Sequence, residues 1–325
     1  RCFNCNCKIV KREKYDVSLF LFVFINNISR YLMIKKFVFL LFVVLSFSSC
    51  VEDNKKIKIT TSTWIGYAPL FYAKEKNWLE PLNIKLLNVV SLSENMYLYK
   101  AGNADAFVGT QYEYNFLLQE DKTLIPIIIF DKSNGGDMIL SNLTLDELSK
   151  TNKDIDAYLE IDSLNSILLN DFIRSNNLQD KKINYINEDQ SNLSRLKANE
   201  INNPTIIVTY TPYNNILEKN YFRELSSTKK SDDLLIIDGM YVKKDFYYEN
   251  KETFVKLKKL VDDSIINLQN NPKEFYNTVK PYLTNISYEE FLSSLNDIIW
   301  LNKDIPTNIL EKLDNSNFKT KDLIK

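Results

Sequence analysis

Aromatic side chains crowd around a joint between a strand and a helix, and this is the most distinctive chemical feature of the chain. In the stretch TTSTWIGYAPLFYAKEKNW, Trp64, Tyr67 and Tyr72 surround a turn at Gly66 between a β-branched run and a helix. Flat, rigid rings give a ligand a large contact area for little loss of rotamer entropy. We therefore expect Trp64, Tyr67 and Tyr72 to line a cleft and Phe71 to pack in the core.

The inventory of catalytic residue types argues against an enzyme. The chain contains no His, which excludes Ser–His and Cys–His dyads and His-based metal sites. A carboxylate pair such as Glu113 with Asp137 could do acid–base chemistry. In a binding cleft the same carboxylates act as hydrogen-bond acceptors, so we expect neither catalysis, nor a cofactor, nor a metal site.

The placement of the Arg residues bears on the charge of a ligand. An oxyanion such as nitrate or a sulfonate is held by Arg, Lys or helix N-termini. We expect Arg174, Arg195 and Arg223 to fall on helices away from the aromatic and acidic residues. The pattern favours a planar or heterocyclic organic ligand that stacks on rings, with Glu113 or Asp137 accepting from its N–H.

Strands and helices alternate along the body of the chain, which indicates an α/β fold with a largely parallel sheet. Helices are expected over residues 69–78 and near 94–101, and residues from about 251 onward look mostly helical. The β-branched runs predict strands over residues 57–63, 84–90, 106–110, 125–130, 138–140, 155–160, 183–186 and 205–210.

An internal echo indicates two lobes of similar plan. The segments FVGTQYEYNFLL (residues 107–118) and IIVTYTPYNNIL (residues 206–217) align at a constant offset of 99, and each reads as a strand followed by a helix. Ligands of open α/β sheets bind beyond the carboxyl ends of the strands, where helix N-termini face the crevice. Two such lobes predict a ligand cleft between them.

Charge is unevenly distributed along the chain. Residues 1–50 hold eight Lys and Arg against two Asp and Glu, which leaves 33 basic and 40 acidic residues from Val51 onward, a net charge of −7. An acidic body argues against nucleic acid or an anionic membrane surface as a partner.

The segment before Val51 reads as a targeting signal. A basic start at Met33 precedes an apolar run over residues 37–47, which is too short to span a bilayer and is typical of a signal peptide. The run ends in LSFSSC, which resembles the lipobox of bacterial lipoproteins, with Cys50 as the lipid-modified residue. An ordinary signal peptide with an incidental Cys is the alternative. No Cys follows Cys50, so the body has no disulfide framework.

Residues 1–32 fit neither a lipoprotein signal nor an ordinary signal peptide. The segment CFNCNC supplies three Cys without the second cluster that a zinc site needs. A second apolar run over residues 17–28 could form a membrane hairpin with the first. We expect this segment to be an upstream extension, with Met33 as the initiator.

Four segments together resemble the NMT1/THI5-like substrate-binding proteins of ABC importers, the group that includes nitrate, alkanesulfonate, taurine and thiamine-pyrimidine binders. They are WIGYAPLFYAKEKNW, LYKAGNADAFVGTQYEYNFLL, PIIIFDKSNGGDMIL and ANEINNPTIIVTYTPYNNIL. The likeness covers residues 57–301. It implies a two-lobed type II periplasmic-binding fold with mixed, mostly parallel sheets flanked by helices.

The resemblance also implies a domain organisation. After the signal at residues 33–49 and a linker at 50–56, the first lobe would comprise residues 57–141 and 240–325, and the second residues 142–239. Ligand would be captured by hinge closure and delivered to a permease and its ATPase. The protein would lie on the extracytoplasmic face of a bacterial membrane, in the periplasm where there is one, anchored through Cys50 and monomeric.

Carried over position by position, the resemblance identifies binding candidates in both lobes. Many relatives have Glu where this chain has Thr211, which puts in doubt a second-lobe carboxylate that grips a ligand amine. The candidates are Trp64, Gly66, Tyr67, Ser93, Glu94, Gln111, Glu113, Asn134, Gly135, Asp137, Asp162, Ser163, Asn165, Tyr210, Thr211 and Asp238, with Gly239 beside the last.

Two alternatives remain open at this point. A lipoprotein that presents its ligand to a membrane sensor kinase would need the same closing cleft. The wider family also includes a eukaryotic pyrimidine synthase that consumes its own histidine together with pyridoxal phosphate. The absence of His from this chain disfavours that chemistry.

Overall fold

The structure, a computed structural model, describes residues 55–230, 234–316 and 318–324. The predicted extension at residues 1–32, the signal peptide at 33–49 and Cys50 lie outside these residues. Residues Lys56–Lys325 cluster as one unit. Among the residues described, no helix combines the length and the apolar character needed to cross a membrane.

Strands and helices alternate through the first two thirds of this unit, as predicted, and helices dominate the last third. The strands are β1 (Ile57–Ser62), β2 (Ile84–Val89), β3 (Ala106–Thr110), β4 (Leu124–Ser133), β5 (Asp137–Ser141), β6 (Ile155–Leu159), β7 (Ile183–Asn187), β8 (Thr205–Tyr210), β9 (Arg223–Ser227), β10 (Ile237–Lys243) and β11 (Ile298–Trp300). The α-helices are α1 (Ala68–Glu75), α2 (Leu92–Lys100), α3 (Gln111–Glu120), α4 (Leu145–Lys150), α5 (Leu164–Ser175), α6 (Gln190–Leu193), α7 (Asn214–Lys219), α8 (Lys244–Glu249), α9 (Lys251–Asn270), α10 (Pro272–Val279), α11 (Tyr288–Ser294) and α12 (Thr307–Asn315).

The strands form two sheets with the same internal plan. The first sheet has the order β11-β4-β10-β3-β1-β2 and the second the order β7-β6-β8-β5-β9. Reading each from its outer parallel strand, β2-β1-β3-β10-β4 matches β7-β6-β8-β5-β9. The two segments of the sequence echo fall on equivalent units, β3 with α3 and β8 with α7. We call the sheets with their helices the first and second lobes.

The sheets are mixed, but less parallel than the sequence predicts. Strand β1 pairs in parallel with β2 and β3, and β6 with β7 and β8. The other pairings, which involve β4, β5, β9, β10 and β11, are antiparallel. The difference arises because a strand that enters from the other lobe, β5 or β10, runs against the strands beside it.

The chain crosses between the sheets twice. It leaves the first sheet after Ser133 and enters the second at Asp137, and it returns between Ser227 and Ile237. Strand β5 pairs with β8 and β9, so residues 137–141 belong to the second sheet. The predicted boundary, which assigns residues up to 141 to the first lobe, is therefore wrong for this strand. Strand β10 likewise brings residues 237–239 into the first sheet.

Both faces of each sheet are covered by apolar side chains, as expected for sheets flanked by helices. Along β5, Met138 and Leu140 join one cluster while Ile139 joins another on the opposite face. In the first lobe the larger cluster lies between the sheet and helices α1, α9 and α10. The sheets are therefore rigid supports for whatever their carboxyl edges carry.

One aromatic residue assigned to the cleft lies instead in this core. The ring of Tyr72 stacks on Phe275 of α10 at 4.6 Å between centroids, and its hydroxyl donates to Glu274 at 2.9 Å. Helix α1 turns Tyr72 towards α10, so the cleft role predicted for this residue is wrong. Phe71 stacks on Tyr282 and packs in the core as expected.

Candidate functional site

The loop after β1 fastens two aromatic residues to acidic residues of the sheet. The indole Nε1 of Trp64 donates to Asp131 Oδ1 at 3.2 Å, and the hydroxyl of Tyr67 donates to Asp238. Asp131 lies on β4 and Asp238 on β10, and the two residues are paired across the strands. Both rings are buried. The loop therefore places aromatic groups and carboxylates in one contiguous layer at the edge of the first sheet.

Two glycines permit this close packing. A Cβ at Gly66 would lie 1.9 Å from Asp131 Oδ2 and 2.5 Å from the indole nitrogen of Trp64. A Cβ at Gly136, in the first crossing, would lie 2.4 Å from Cη2 of Trp64. Real Cβ atoms do not approach other atoms so closely. Because Gly66 and Gly136 have no Cβ, they leave room for the indole of Trp64 on either side of it.

Two carboxylates placed opposite each other on adjacent strands repel each other. Burial raises the pKa of Asp131 well above its usual range. The hydrogen bond from Trp64 lowers this pKa in part, and the charge of the nearby Asp137 raises it further. Burial and then the charges of Asp131, Asp137 and Glu113 raise the pKa of Asp238 in the same way. Oxygen Oδ2 of Asp131 has no hydrogen-bond partner among the described residues. This part of the site strongly favours a proton or another positive charge.

Glu113 joins the first lobe to the second. It forms a capping box with Thr110 at the start of α3, which fixes its carboxylate at the end of β3. Its Oε1 accepts from the backbone N–H of Leu164, the first residue of α5 in the second lobe, at 2.8 Å. Burial raises the pKa of Glu113, and its hydrogen bonds with Thr110 and Leu164 lower it in part.

Glu160 makes the reverse contact. It follows β6 in the second lobe, and its Oε2 accepts from the N–H of Leu92, the first residue of α2 in the first lobe, at 2.9 Å. The hydroxyl of Tyr210 donates to its other oxygen at 3.4 Å. Burial raises the pKa of Glu160 to about 8.

Each lobe thus uses a carboxylate to cap a helix of the other. Helix N-termini carry unpaired N–H groups and a partial positive charge, so a carboxylate is a favourable partner there. Both bonds are buried and cross from one sheet to the other. At the rim, the hydroxyl of Tyr97 on α2 donates to Asp162 of the second lobe at 2.9 Å. The two lobes face each other across these contacts, with the acidic residues between them.

Asp137 and Tyr210 lie at the same level on the second sheet. They are paired between β5 and β8, and the ring of Tyr210 meets that of Trp64 edge to face, with centroids 6.1 Å apart. Tyr213 meets Tyr210 in the same manner at 5.5 Å. Burial is the main cause that raises the pKa of Asp137 to about 7. The hydrogen bond with Ser133 lowers this pKa in part, and the charge of Glu113 raises it. Aromatic rings of both lobes therefore meet beside the carboxylates.

Several predicted site residues hold the backbone in place beside this layer. Gln111 binds the second crossing, donating to Leu235 O and accepting from Ile237 N at 2.7 Å. Gly135 adopts a φ of 122° in the first crossing, and its N–H donates to Thr228 at 2.7 Å. Asn134 donates through its N–H to Asp297 O at 2.8 Å. These residues lie at the crossings and not in the acidic and aromatic layer.

Others lie at helix starts or at the rim. Ser163 is the N-cap of α5, as predicted, and accepts from Asn165 N at 3.1 Å. Thr211 donates through its N–H to Gly136 O at 2.8 Å. In the first turn of α2, Ser93 is half-buried and Glu94 is exposed, where it accepts from Val90 N. Glu94 is therefore not brought to the buried layer.

Sequence reasoning did not select two members of the layer, Glu160 and Asp131. Glu160 directly follows β6, and an acidic residue at the carboxyl end of a strand is itself a signal for the ligand edge of a sheet. Asp131 belongs to the quoted segment PIIIFDKSNGGDMIL but lies inside an apolar strand. Its partner across the sheet could not be read from the chain.

Comparison with known proteins identifies the fold. The chain matches no protein-family model and no curated protein sequence. Among solved structures it is similar to the ligand-binding component of an ABC-type import system from Staphylococcus aureus with zinc bound (TM-score 0.64, 13% identity, 83% of this chain and 96% of that one).

Two further structures agree. The alkanesulfonate-binding protein SsuA from Xanthomonas axonopodis pv. citri, bound to MOPS, gives a TM-score of 0.62 at 11% identity and covers 81% of this chain and 91% of its own. The Candida albicans CA3427 product, described as having the generic periplasmic binding protein fold, gives 0.62 at 10% identity, with 83% and 98% covered. At these identities the likeness establishes the fold, so the predicted periplasmic-binding fold is confirmed.

Proposed function

We infer that this protein is an extracytoplasmic solute-binding protein that captures a small organic ligand between its two lobes. One observation carries the inference: carboxylates and aromatic rings from both lobes converge in one buried layer, where Glu113 and Glu160 each bond to the opposite lobe. Packing within a single lobe does not require such a layer, whereas a closing cleft does. The established fold is compatible with this role.

Capture would follow from hinge closure. A ligand shifts an open-to-closed equilibrium only by its differential affinity for the closed state. A ligand that touches Trp64 and Tyr67 in one lobe and Tyr210 in the other gains its full contact area only when the lobes close. The two crossings are bonded side by side through Ser133 and Thr228, at 2.8 Å between their hydroxyls, and would serve as the hinge.

The proposal extends to delivery. The closed protein would hand its ligand to an ABC permease and its ATPase, as a monomer anchored by a lipid on Cys50 to the outer face of a bacterial membrane. The anchor would confine capture to the surface where the permease lies. A thiamine-pyrimidine-like heterocycle is the first candidate ligand and a sulfonate the second.

A thermal-shift panel on the purified protein tests the solute-binding role. The panel contains thiamine pyrimidines, taurine and other sulfonates, nitrate, riboflavin and amino acids. A ligand at 100 times its dissociation constant stabilises the folded state by about 2.7 kcal/mol and raises the melting temperature by about 5 °C.

A pair of Trp variants locates the binding. Trp64→Ala should reduce the affinity of any hit at least tenfold, because it removes the ring that both lobes contact. Trp78→Ala is the matched control, since Trp78 packs on Tyr72 in the first lobe, away from the layer. A hit with the same affinity in Trp64→Ala as in the unmodified protein would contradict binding at this site.

A further inference from the structure

We propose that the ligand of this cleft is an organic cation, with a protonated nitrogen paired to Asp137 and Glu160 and a flat face against Trp64 and Tyr210. The inference rests on the proposed function and deepens it, because it assigns the ligand a charge. An amine, amidine or guanidine therefore becomes the first candidate ligand, ahead of the neutral heterocycle and the sulfonate.

The first support is the density of acidic groups. Five carboxylates, each at most 4% exposed, lie on five elements around the layer. They are Glu113, Asp131, Asp137, Glu160 and Asp238. Burial is the largest cause of the raised pKa of each, and repulsion by a neighbouring member of the set adds to it in four of the five. An isolated buried carboxylate is strongly disfavoured unless it is paired or protonated.

The second support is the lack of compensating charge within the described chain. None of the five forms an ion pair with a described Lys or Arg, and no described cation is among the causes that lower their pKa values. The helix N-termini at Leu164 and Leu92 partly offset Glu113 and Glu160. Asp131, Asp137 and Asp238 receive no such help from a described helix. A cationic ligand would supply the balance.

The third support is independent of the acids. At the carboxyl end of β1, the hydroxyl of Ser62 is buried and has no hydrogen-bond partner among described residues. In the first turn of α5, next to Leu164, the side chain of Asn165 is fully buried and neither of its polar atoms has a partner. A buried polar group that lacks a hydrogen-bond partner destabilises the folded protein. Both lie at the cleft ends of their elements, where a polar ligand would pair with them.

The geometry favours an extended organic ion over a single metal ion. The carboxylates are distributed over both lobes, on β4, β5, β10, α3 and the end of β6, with aromatic rings between them. In the part of the chain that the structure describes, no three acidic side chains are grouped to hold a metal ion. Rings beside carboxylates suit a flat cation, which gains both an ion pair and a cation–π contact.

The test is isothermal titration calorimetry of the full-length protein with three probes of one shape and different charge. Benzamidine is a cation, benzamide is neutral and benzenesulfonate is an anion. We expect benzamidine to bind at least tenfold more tightly than either analogue. Repeating the titration near pH 7 in buffers of different ionisation enthalpy should show proton release, because a cation displaces protons from carboxyls whose pKa values are raised.

Two variants locate the charge. Asp137→Asn should weaken benzamidine binding at least tenfold and reduce the number of protons released. Asp146→Asn is the matched control, because Asp146 is an exposed residue of α4 in the same lobe. Glu160→Gln provides a second neutral variant, and circular dichroism verifies that each variant folds.

The following results would overturn the proposal. They are equal or tighter binding of benzenesulfonate or benzamide, unchanged benzamidine affinity in both acid variants, and absence of benzamidine binding at 10 mM. Tight binding of the sulfonate that is lost in Trp64→Ala would overturn the cation while leaving the solute-binding role intact. Binding of Zn²⁺ or Ca²⁺ with no response to benzamidine would also overturn it.

Discussion

Individual residues in the layer are constrained chiefly by lack of space. Trp64 is enclosed by Gly66 on its own loop and by Gly136 on the first crossing, and its indole nitrogen is held by Asp131. A side chain at either glycine would push the indole away from Tyr210. The identity of these glycines is therefore a consequence of where the Trp64 ring must lie.

Gly136→Ala should destabilise the fold because its Cβ would overlap the indole and approach Asp297 O at 3.1 Å. Overpacking of this kind costs about 2 kcal/mol. Gly102→Ala is the control: its φ of 75° carries backbone strain, but nothing lies within 4 Å of the added Cβ, so the cost is about 1 kcal/mol. Urea denaturation measures both, and a Gly136→Ala loss no larger than that of Gly102→Ala would contradict the packing argument.

The buried carboxyls predict how stability changes with pH. Glu160, with a pKa of about 8, and Asp137, with a pKa of about 7, keep protons in the folded protein that the unfolded chain releases above about pH 4.5. Unfolding between these values releases protons, so the free energy of unfolding falls as pH rises, by up to about 1.4 kcal/mol per pH unit for each proton. Carboxyls with lowered pKa, such as Glu147, act only at lower pH.

Urea denaturation at pH 5, 6 and 7 should therefore show stability falling with pH. Glu160 faces the N–H groups of Leu92 and Gln190, the hydroxyl of Tyr210 and the charge of Glu113. Glu160→Gln removes its proton and should flatten the slope, whereas Glu94→Gln, at an exposed site, should not. Stability that is constant or rises from pH 5 to pH 7 would contradict the assignment.

At the scale of elements, the reciprocal capping of α2 and α5 joins the lobes. Each helix start receives a carboxylate from the opposite sheet, so neither bond survives when the lobes separate. A buried hydrogen bond of this kind contributes about 1 kcal/mol to stability.

Glu160→Ala removes the acceptor of the Leu92 N–H and should speed hydrogen exchange of that amide at least tenfold. Glu94→Ala is the control, because Glu94 accepts from Val90 in the same region and is exposed. NMR exchange rates at Leu92 measure the effect. Unchanged protection of Leu92 in Glu160→Ala would show that the bond does not hold the lobes together.

The sequence predicts elements better than it predicts their partners. The eight β-branched runs predict strands and Pro69 predicts a helix start, because local periodicity and turn chemistry depend on the local backbone. Strand β5 was assigned to the wrong sheet because its residues, DMILS, are equally suited to either core. Strand β9, RELSS, carries little apolar signal and was not predicted.

The site was predicted in part for the same reason. The loop at Trp64 and the N-cap at Ser163 follow from short-range patterns, and Glu113 was selected at a strand end. The pairing of Asp131 with Asp238 and the contacts of Glu160 with Leu92 join distant segments, so no local pattern contains them. The cleft role predicted for Tyr72 is wrong because the sequence does not indicate which face of helix α1 is turned towards the cleft.

At the scale of the whole molecule, two sheets of one plan face each other and are connected by two crossings. The crossings are bonded together at Ser133, Thr228 and Ile236, so they form one joint beside the layer. In the proposed mechanism, motion about this joint would change the separation of Trp64 from Tyr210 and of Glu113 from α5. Ligand affinity and lobe closure would then be a single equilibrium.

The most direct test of this account is the distance between the lobes with and without ligand. No Cys follows Cys50, so in the chain from Val51 spin labels can be placed on single Cys substitutions at exposed Lys100 of α2 and Asn170 of α5. Double electron–electron resonance should show a broad or long distance distribution that ligand converts to one shorter distance. Ligand binding shown by calorimetry with an unchanged distribution would contradict closure of the cleft.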